Sequence, residues 1–305
     1  MPSTIVLNQS NLLADGNNNT FIYKFPNSVA FPHHEIAIQN ITMYYSWSNI
    51  NASPLANNVF QYTWVVGAGP ATTYTLTIPD GLYEVSDLNY FLQFNFIKNG
   101  TYLINGSGQN VYYVEFVVNP NQYAVQINTF PVPTALPAGW TAPVANPATG
   151  DLGWVGFPLV TFNPQIILPA NINQVLGYTA GFTTSLNTGL GTNLSYLSST
   201  APQVQPNSSV YLAISNIANK YAIPNSIIYS VSPKVAFGEQ ISDTPPQFAW
   251  NKLLAGTYNE LRLQILGINY QPIKILDPNM TIVLVIRDTK DLGFQELLTT
   301  ASASK

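Results

Sequence analysis

The sequence predicts an all-β fold: a two-sheet antiparallel sandwich with long loops, one short helix and an insertion. Three observations predict it. Most readable segments alternate apolar and polar residues with period two, the mark of strands that bury one face. About ten such segments are joined by long loops, a spacing that suits a sandwich. Of the 305 residues 46% are hydrophobic and 12% aromatic, ample for a core, while 8% are charged against roughly 25% in ordinary domains. High hydrophobicity with little charge excludes a disordered chain.

Taken in order, residues 36–47 place apolar side chains at Ile36 and Ile38 and then at Ile41, Met43, Tyr45 and Trp47. One unbroken register cannot serve both sets, so a bulge is expected near Gln39 and Asn40. Tyr74, Leu76 and Ile78 alternate with Thr73, Thr75 and Thr77 as a half-exposed strand. A helix follows, with Ser86 as N-cap, Leu88, Phe91 and Leu92 on one face, Lys98 in the last turn and Gly100 after it. Asn119-Pro120-Asn121 is turn chemistry and makes a hairpin between Phe116 and Tyr123. Beyond it Tyr123, Val125 and Ile127 read as a strand, as do Leu261, Leu263 and Ile265. Residues 281–286 have no polar face, which predicts a strand covered on both sides.

Between Pro131 and Pro169 come Pro133, Pro137, Pro143, Pro147, Pro158 and Pro164, with Asp151 the single charge. Proline at that density removes ladder donors, so the stretch is expected to be irregular with at most short strands. A weaker helical segment is expected near 171–176. One domain over 1–305 is expected, with an elaborated insertion over 130–205. The polar tail after Asp288 is expected to fray.

Chemistry is sparse. The chain has no Cys and two adjacent histidines, His33 and His34, which on an extended segment point to opposite faces and cannot form a facing pair. G-x-S-x-G does not occur, and Gly67-Ala68-Gly69 and Gly106-Ser107-Gly108 read as hairpin turns because neither leads into a helix. Asp80 before Gly81 and Asp277 before Pro278 are turn residues. The expectation is no enzyme, no catalytic residue, no cofactor and no metal. Ten basic residues and a net charge of -4 give no positive field for phosphates, so no direct nucleic-acid binding is expected. The first residues lack a basic and apolar leader, and residues 280–286, the longest apolar run, fall far short of a bilayer; neither secretion by a signal peptide nor a membrane span is expected.

What remains is a surface of Asn, Gln, Ser, Thr, Tyr and Pro. Charge is depleted from the cores of protein interfaces and Tyr and Trp are enriched there, so such a surface suits assembly. The alternative is a β-sandwich with a glycan-binding or adhesive surface. Residues 245–250, Pro245-Pro246-Gln247-Phe248-Ala249-Trp250, are the preferred contact element, because Pro-rich loops are pre-ordered and Trp is a frequent anchor. Trp250 would otherwise plug one end of the subunit's own core. Arg262 and Arg287 sit among apolar neighbours at strand positions, where an ion pair at a sheet margin or a subunit contact is expected.

Six strings carry a resemblance. NTFIYKFPNSVAF (19–31), QNITMYYSWSNIN (39–51), YTLTIPDGLYEVSDLNYFLQ (74–93) and LPANINQVLGYTAGF (168–182) resemble the penton, or minor capsid, proteins of virophages and Polinton-type elements. The segments 225–267 and 275–288 resemble the C-terminal half of the same family. The resemblance implies a single jelly roll whose five copies form a homo-pentamer at the vertices of an icosahedral virion. It further implies assembly in the host cell and a double-jelly-roll major capsid protein as neighbour. A ring of five needs a heterologous contact that closes, so each chain carries two different complementary sides.

Overall fold

The computed structural model describes residues 2–189, 191–204 and 207–290. The chain forms two compact units, one of Met1–Ser48 with Pro206–Lys305 and the other of Asn49–Gln205. The first unit begins with β1 (Ser3–Leu7), β2 (Thr20–Ala30) and β3 (His34–Tyr44). The second holds β4 (Val59–Trp64), β5 (Thr72–Thr77), α1 (Val85–Asn99), β6 (Leu103–Ile104), β7 (Asn110–Val111) and β8 (Val114–Asn119). It continues with β9 (Ala124–Thr129), β10 (Gln165–Ile167), α2 (Ile172–Leu176) and β11 (Leu194–Leu197). The first unit then resumes with β12 (Val210–Ile214), β13 (Ile227–Val231), β14 (Gln240–Asp243), β15 (Asn251–Lys252), β16 (Thr257–Leu266) and β17 (Thr281–Asp288).

All-β architecture with antiparallel sheets is as the alternating pattern predicts. In the first unit one sheet runs β1-β17-β3-β14, with β15 extending the β3 edge, and the other runs β13-β12-β16-β2. Within this unit the outermost strands in sequence pair with each other, β1 with β17 and β2 with β16, and the inner ones likewise, β3 with β14 and β12 with β13. That is one long hairpin rolled over itself, the strand order of a jelly roll. Each sheet buries one face: Ile5, Leu7, Ile36, Ile38, Ile41, Ile282 and Leu284 in the first, Phe21, Leu212, Leu261, Leu263 and Ile265 in the second. A hydrogen bond of 2.9 Å from the Tyr229 hydroxyl on β13 to Asp243 on β14 ties the two sheets.

The bulge falls where the phase switch requires it. Val283 pairs with Asn40 and Leu284 with Ile38, so Gln39 is the extra residue and points outward. Ile36 and Ile38 before it and Ile41 and Met43 after it are therefore all buried. Strand β17 is buried on its inner face, and on its other face Val285 is buried while Thr281 and Val283 are half-buried.

The unit 49–205 has a core of its own. The elaborated stretch expected over 130–205 forms its C-terminal part, and within 131–169 only β10 is a strand. Trp64 sits at its centre, ring centroids 5.4 Å from Phe162 and 5.8 Å from Tyr113 and Trp154. Helix α1 buries Val85, Leu88, Leu92 and Phe96, with Phe91 half-buried. Its N-cap is Glu84, not Ser86: Asp87 reaches back 2.9 Å to accept from the Glu84 N–H, so the helix starts one residue before the serine. Gly100 ends the helix at φ 64°, and a Cβ there would meet the Gly153 carbonyl at 2.0 Å, so only glycine fits. Lys98 in the last turn pairs with Asp151 at 2.8 Å.

The 119–124 hairpin and the 172–176 helix form as expected. Tyr123 differs: it lies in the turn at φ 47° and is exposed, because closing Asn119 onto Ala124 requires a left-handed residue before β9 begins. The loops at 67–69 and 106–108 join paired strands, β4 to β5 and β6 to β7. Asp277 accepts from the Asn279 N–H, the turn role expected of it, whereas Asp80 accepts from the N–H of Ala52, far away in the chain, and so fastens its bend to the 49–57 segment. The tail, apart from Thr289 and Lys290, lies outside the described residues.

Two outcomes follow from these cores. Phe21→Ala removes a fully buried ring and should cost about 3–5 kcal/mol in denaturant melts, whereas Tyr123→Ala should stay within about 0.5 kcal/mol. Burial pushes Tyr45, Tyr62, Tyr74, Tyr113, Tyr178 and Tyr229 above the ordinary tyrosine range. A raised pKa favours the protonated folded form, so this stability is complete below about pH 10 and is lost as pH rises through the folded values. Tyrosinate absorbance should therefore appear late and together with alkaline unfolding.

Candidate subunit interface

The expected contact element lies between β14 and β15. Pro245 and Pro246 stiffen the turn that leaves β14, and its start is fastened where Asn40 on β3 donates 2.9 Å to the Thr244 hydroxyl. The far end is held by β15, whose Asn251 and Lys252 pair with Ile36 and Glu35. Between these anchors Phe248, 44% exposed, and half-buried Trp250 lie with ring centroids 5.4 Å apart.

Arg287 on β17 stands directly opposite Glu35 on β3. Its Nε and Nη2 both donate to Glu35 Oε2, at 2.9 and 2.7 Å, and its guanidinium lies 4.0 Å from the Trp250 ring centre. The pair is a quarter to a third exposed, so it contributes little by itself, at most about 1 kcal/mol, and the cation–π contact adds roughly 0.5–1 kcal/mol. The Trp250 ring is thus held flat against a charge that Glu35 already neutralises. It is neither a core plug nor a free side chain.

Of the expected contact residues, the fold places Pro245, Pro246, Phe248, Trp250 and Arg287 around the end of the first sheet where β15 meets β3 and β17. Arg262 is elsewhere: it lies exposed on β16 in the second sheet, opposite Ile22, and makes no ion pair among the described residues. Sequence reading missed Glu35, since only the β3–β17 register brings it to Arg287. It also missed Tyr221 and Ile223, which are 99% and 88% exposed on the loop between β12 and β13. That loop is well fastened: the Asn219 N–H donates to the Asn225 carbonyl at 2.8 Å, the Asn219 side chain donates to Ile227, and Tyr221 N–H donates back to Asn219. The only signal was an apolar pair inside an Asn- and Pro-bounded turn.

His33 is exposed, and His34 packs edge-on to Phe31 with ring centroids 5.2 Å apart. Among the described residues no three His, Cys, Asp or Glu side chains gather as a metal site would need, and no helix is long and apolar enough to cross a membrane.

No protein-family model and no curated protein sequence matches the chain. Among solved structures, the crystal structure of the mavirus penton protein is similar over 94% of this chain and 98% of that one, at 9% identity and a TM-score of 0.38. A likeness of that strength does not speak to role.

Arg287→Ala should release the Trp250 ring. Expected are a red-shifted tryptophan emission and a loss of about 1 kcal/mol or less in stability, while Glu35→Gln should shift emission less because the guanidinium stays.

Proposed function

We propose that the chain is a structural capsid protein, a penton, whose five copies close the vertices of an icosahedral virion assembled in the host cell. The observation that carries this reading is a jelly-roll strand order joined to an exterior that is sparsely charged and apolar at a fastened loop tip. Free proteins draw colloidal stability from surface charge. A fastened loop that holds Tyr221 and Ile223 in water is costly for a monomer and suits one that is covered. The strings that resemble virophage and Polinton-type pentons support the same role, and imply a double-jelly-roll major capsid protein as the lateral neighbour. No reaction and no cofactor belong to this reading.

A closed ring requires two different sides on each copy. In this proposal one side is the end of the first sheet bearing Pro245, Pro246, Phe248, Trp250 and Arg287, and the other includes Arg262 on the second sheet. The contact rests on apolar burial and neutral hydrogen bonds, because few charges are available.

Sedimentation and native mass measurement test this. A five-chain species should persist when sodium chloride is raised from about 0.1 M to about 1 M, since screening weakens exposed ion pairs but not apolar contacts. Trp250→Ala should weaken assembly tenfold or more while lowering the melting temperature by only a few degrees. A chain that stays monomeric at every concentration overturns the proposal.

A further inference from the structure

A groove of about 580 Å³ opens on the outward face of the first sheet. Its floor is made by directly opposed residues: Thr42 on β3 faces Thr281 on β17, and Tyr44 on β3 faces Gln240 on β14. Its walls are Asn8, Gln9 and Ser10 in the short 3-10 turn after β1, and Asn279 and Met280 before β17. Eight of these nine residues carry a neutral side chain that hydrogen-bonds, and none carries a charge.

The walls are fixed before any ligand arrives. Asn8 Oδ1 accepts from the Ser10 N–H at 2.9 Å and its hydroxyl at 2.7 Å, Asn11 caps the Asn8 N–H, and Asp277 holds the Asn279 N–H at 2.7 Å. By contrast the side-chain polar groups of Gln9, Tyr44, Gln240, Asn279 and Thr281 have no hydrogen-bond partner among the described residues. Five unspent amide and hydroxyl groups therefore border one space, beside a half-buried aromatic ring.

We propose that this groove binds a neutral saccharide. No lining side chain is charged, so neither an anion nor a cation finds a counter-charge in the lining, and a purely apolar ligand would leave the amides unpaired. An extended peptide could not add to β3 or β17, which are interior strands, and on the open edge of β14 it would lie along that strand rather than over Tyr44 on the groove floor. A pyranose suits what is present, since its C–H face lies on an aromatic ring while its hydroxyls both donate to and accept from amides and hydroxyls. The volume lies within the range of ordinary small-molecule sites, about 300–1,000 Å³. This inference is independent of the capsid reading.

Saturation-transfer NMR on the full chain tests it, with D-galactose, D-mannose and N-acetyl-D-glucosamine as probes at about 20 mM, a concentration that detects millimolar affinity. At least one sugar should receive transfer. Tyr44→Ala and Gln240→Ala should each weaken it by about tenfold, Tyr44→Phe should keep most of it, and Tyr221→Ala should leave it unchanged. If Tyr44→Ala fails to fold, Gln240→Ala decides, since that side chain is exposed on an edge strand. No transfer from any of the three sugars overturns the proposal, and so does transfer that survives both Gln240→Ala and Tyr44→Ala.

Discussion

The pairing of β3 with β17, shifted by one residue at Gln39, is the constraint on which the sandwich depends. A strand has one inner face, and a slip of one residue turns all its apolar side chains to the other side. Placing the extra residue at Gln39 lets Ile36 and Ile38 meet Ile286 and Leu284 while Ile41 still meets Ile282. The same register sets the outward face. It brings Arg287 opposite Glu35 at one end and Thr281 opposite Thr42 at the other. Those positions are seven residues apart along β3, roughly 20 Å at about 3.3 Å per residue. The tryptophan cluster and the polar groove are thus two ends of one face, both fixed by one bulge.

The rolled hairpin also explains how the chain accommodates 49–205. In the jelly-roll order, β3 and β12 are consecutive strands that lie in different sheets, so their connection has no register to keep. A connection of that kind lengthens at little entropic cost, and here it has become a unit with its own helix and aromatic core. Gly100 shows how closely that unit is packed, since the helix end and the Gly153 carbonyl leave no room for a methyl group. Proline-rich residues 131–169 are ordered by the short strand β10 and by isolated bridges such as Val132 with Phe162, whose side chains are also buried.

What the sequence makes legible is periodicity, and periodicity is local. The bulge could be placed because Ile36, Ile38, Ile41 and Met43 change phase within eight residues. The division of the chain could not, because Tyr74, Leu76 and Ile78 in the unit 49–205 alternate just as Leu261, Leu263 and Ile265 do in the sandwich. Ser86 looked like the natural cap because hydroxyls usually serve, but Asp87 at the third helical position selected Glu84. Of the contact residues, the segment 245–250 was legible from its composition. The Glu35 partner of Arg287 was not, nor was the placement of Arg262 on the other sheet, since both depend on pairings between residues far apart in the chain. The groove is harder still to read, since its residues come from four separate stretches.

Scarcity of charge gives the outward face its character. Stripping water from an ion costs several kcal/mol, whereas an amide or hydroxyl costs about 1–3 kcal/mol and recovers it on finding one partner. A face of Thr, Gln, Asn and Tyr is therefore cheap to cover and equally cheap to leave wet. Where Arg287 meets Glu35 the two charges cancel, with Glu35 accepting twice from Arg287 and Trp250 beside the guanidinium, while exposed Lys252 on β15 stands opposite Glu35 on the same face. In the proposed ring a neighbour docking there would meet an aromatic ring, a neutralised ion pair and one exposed cation, Lys252. Such a contact would be selected chiefly by shape, the complementarity that closure of the proposed ring needs.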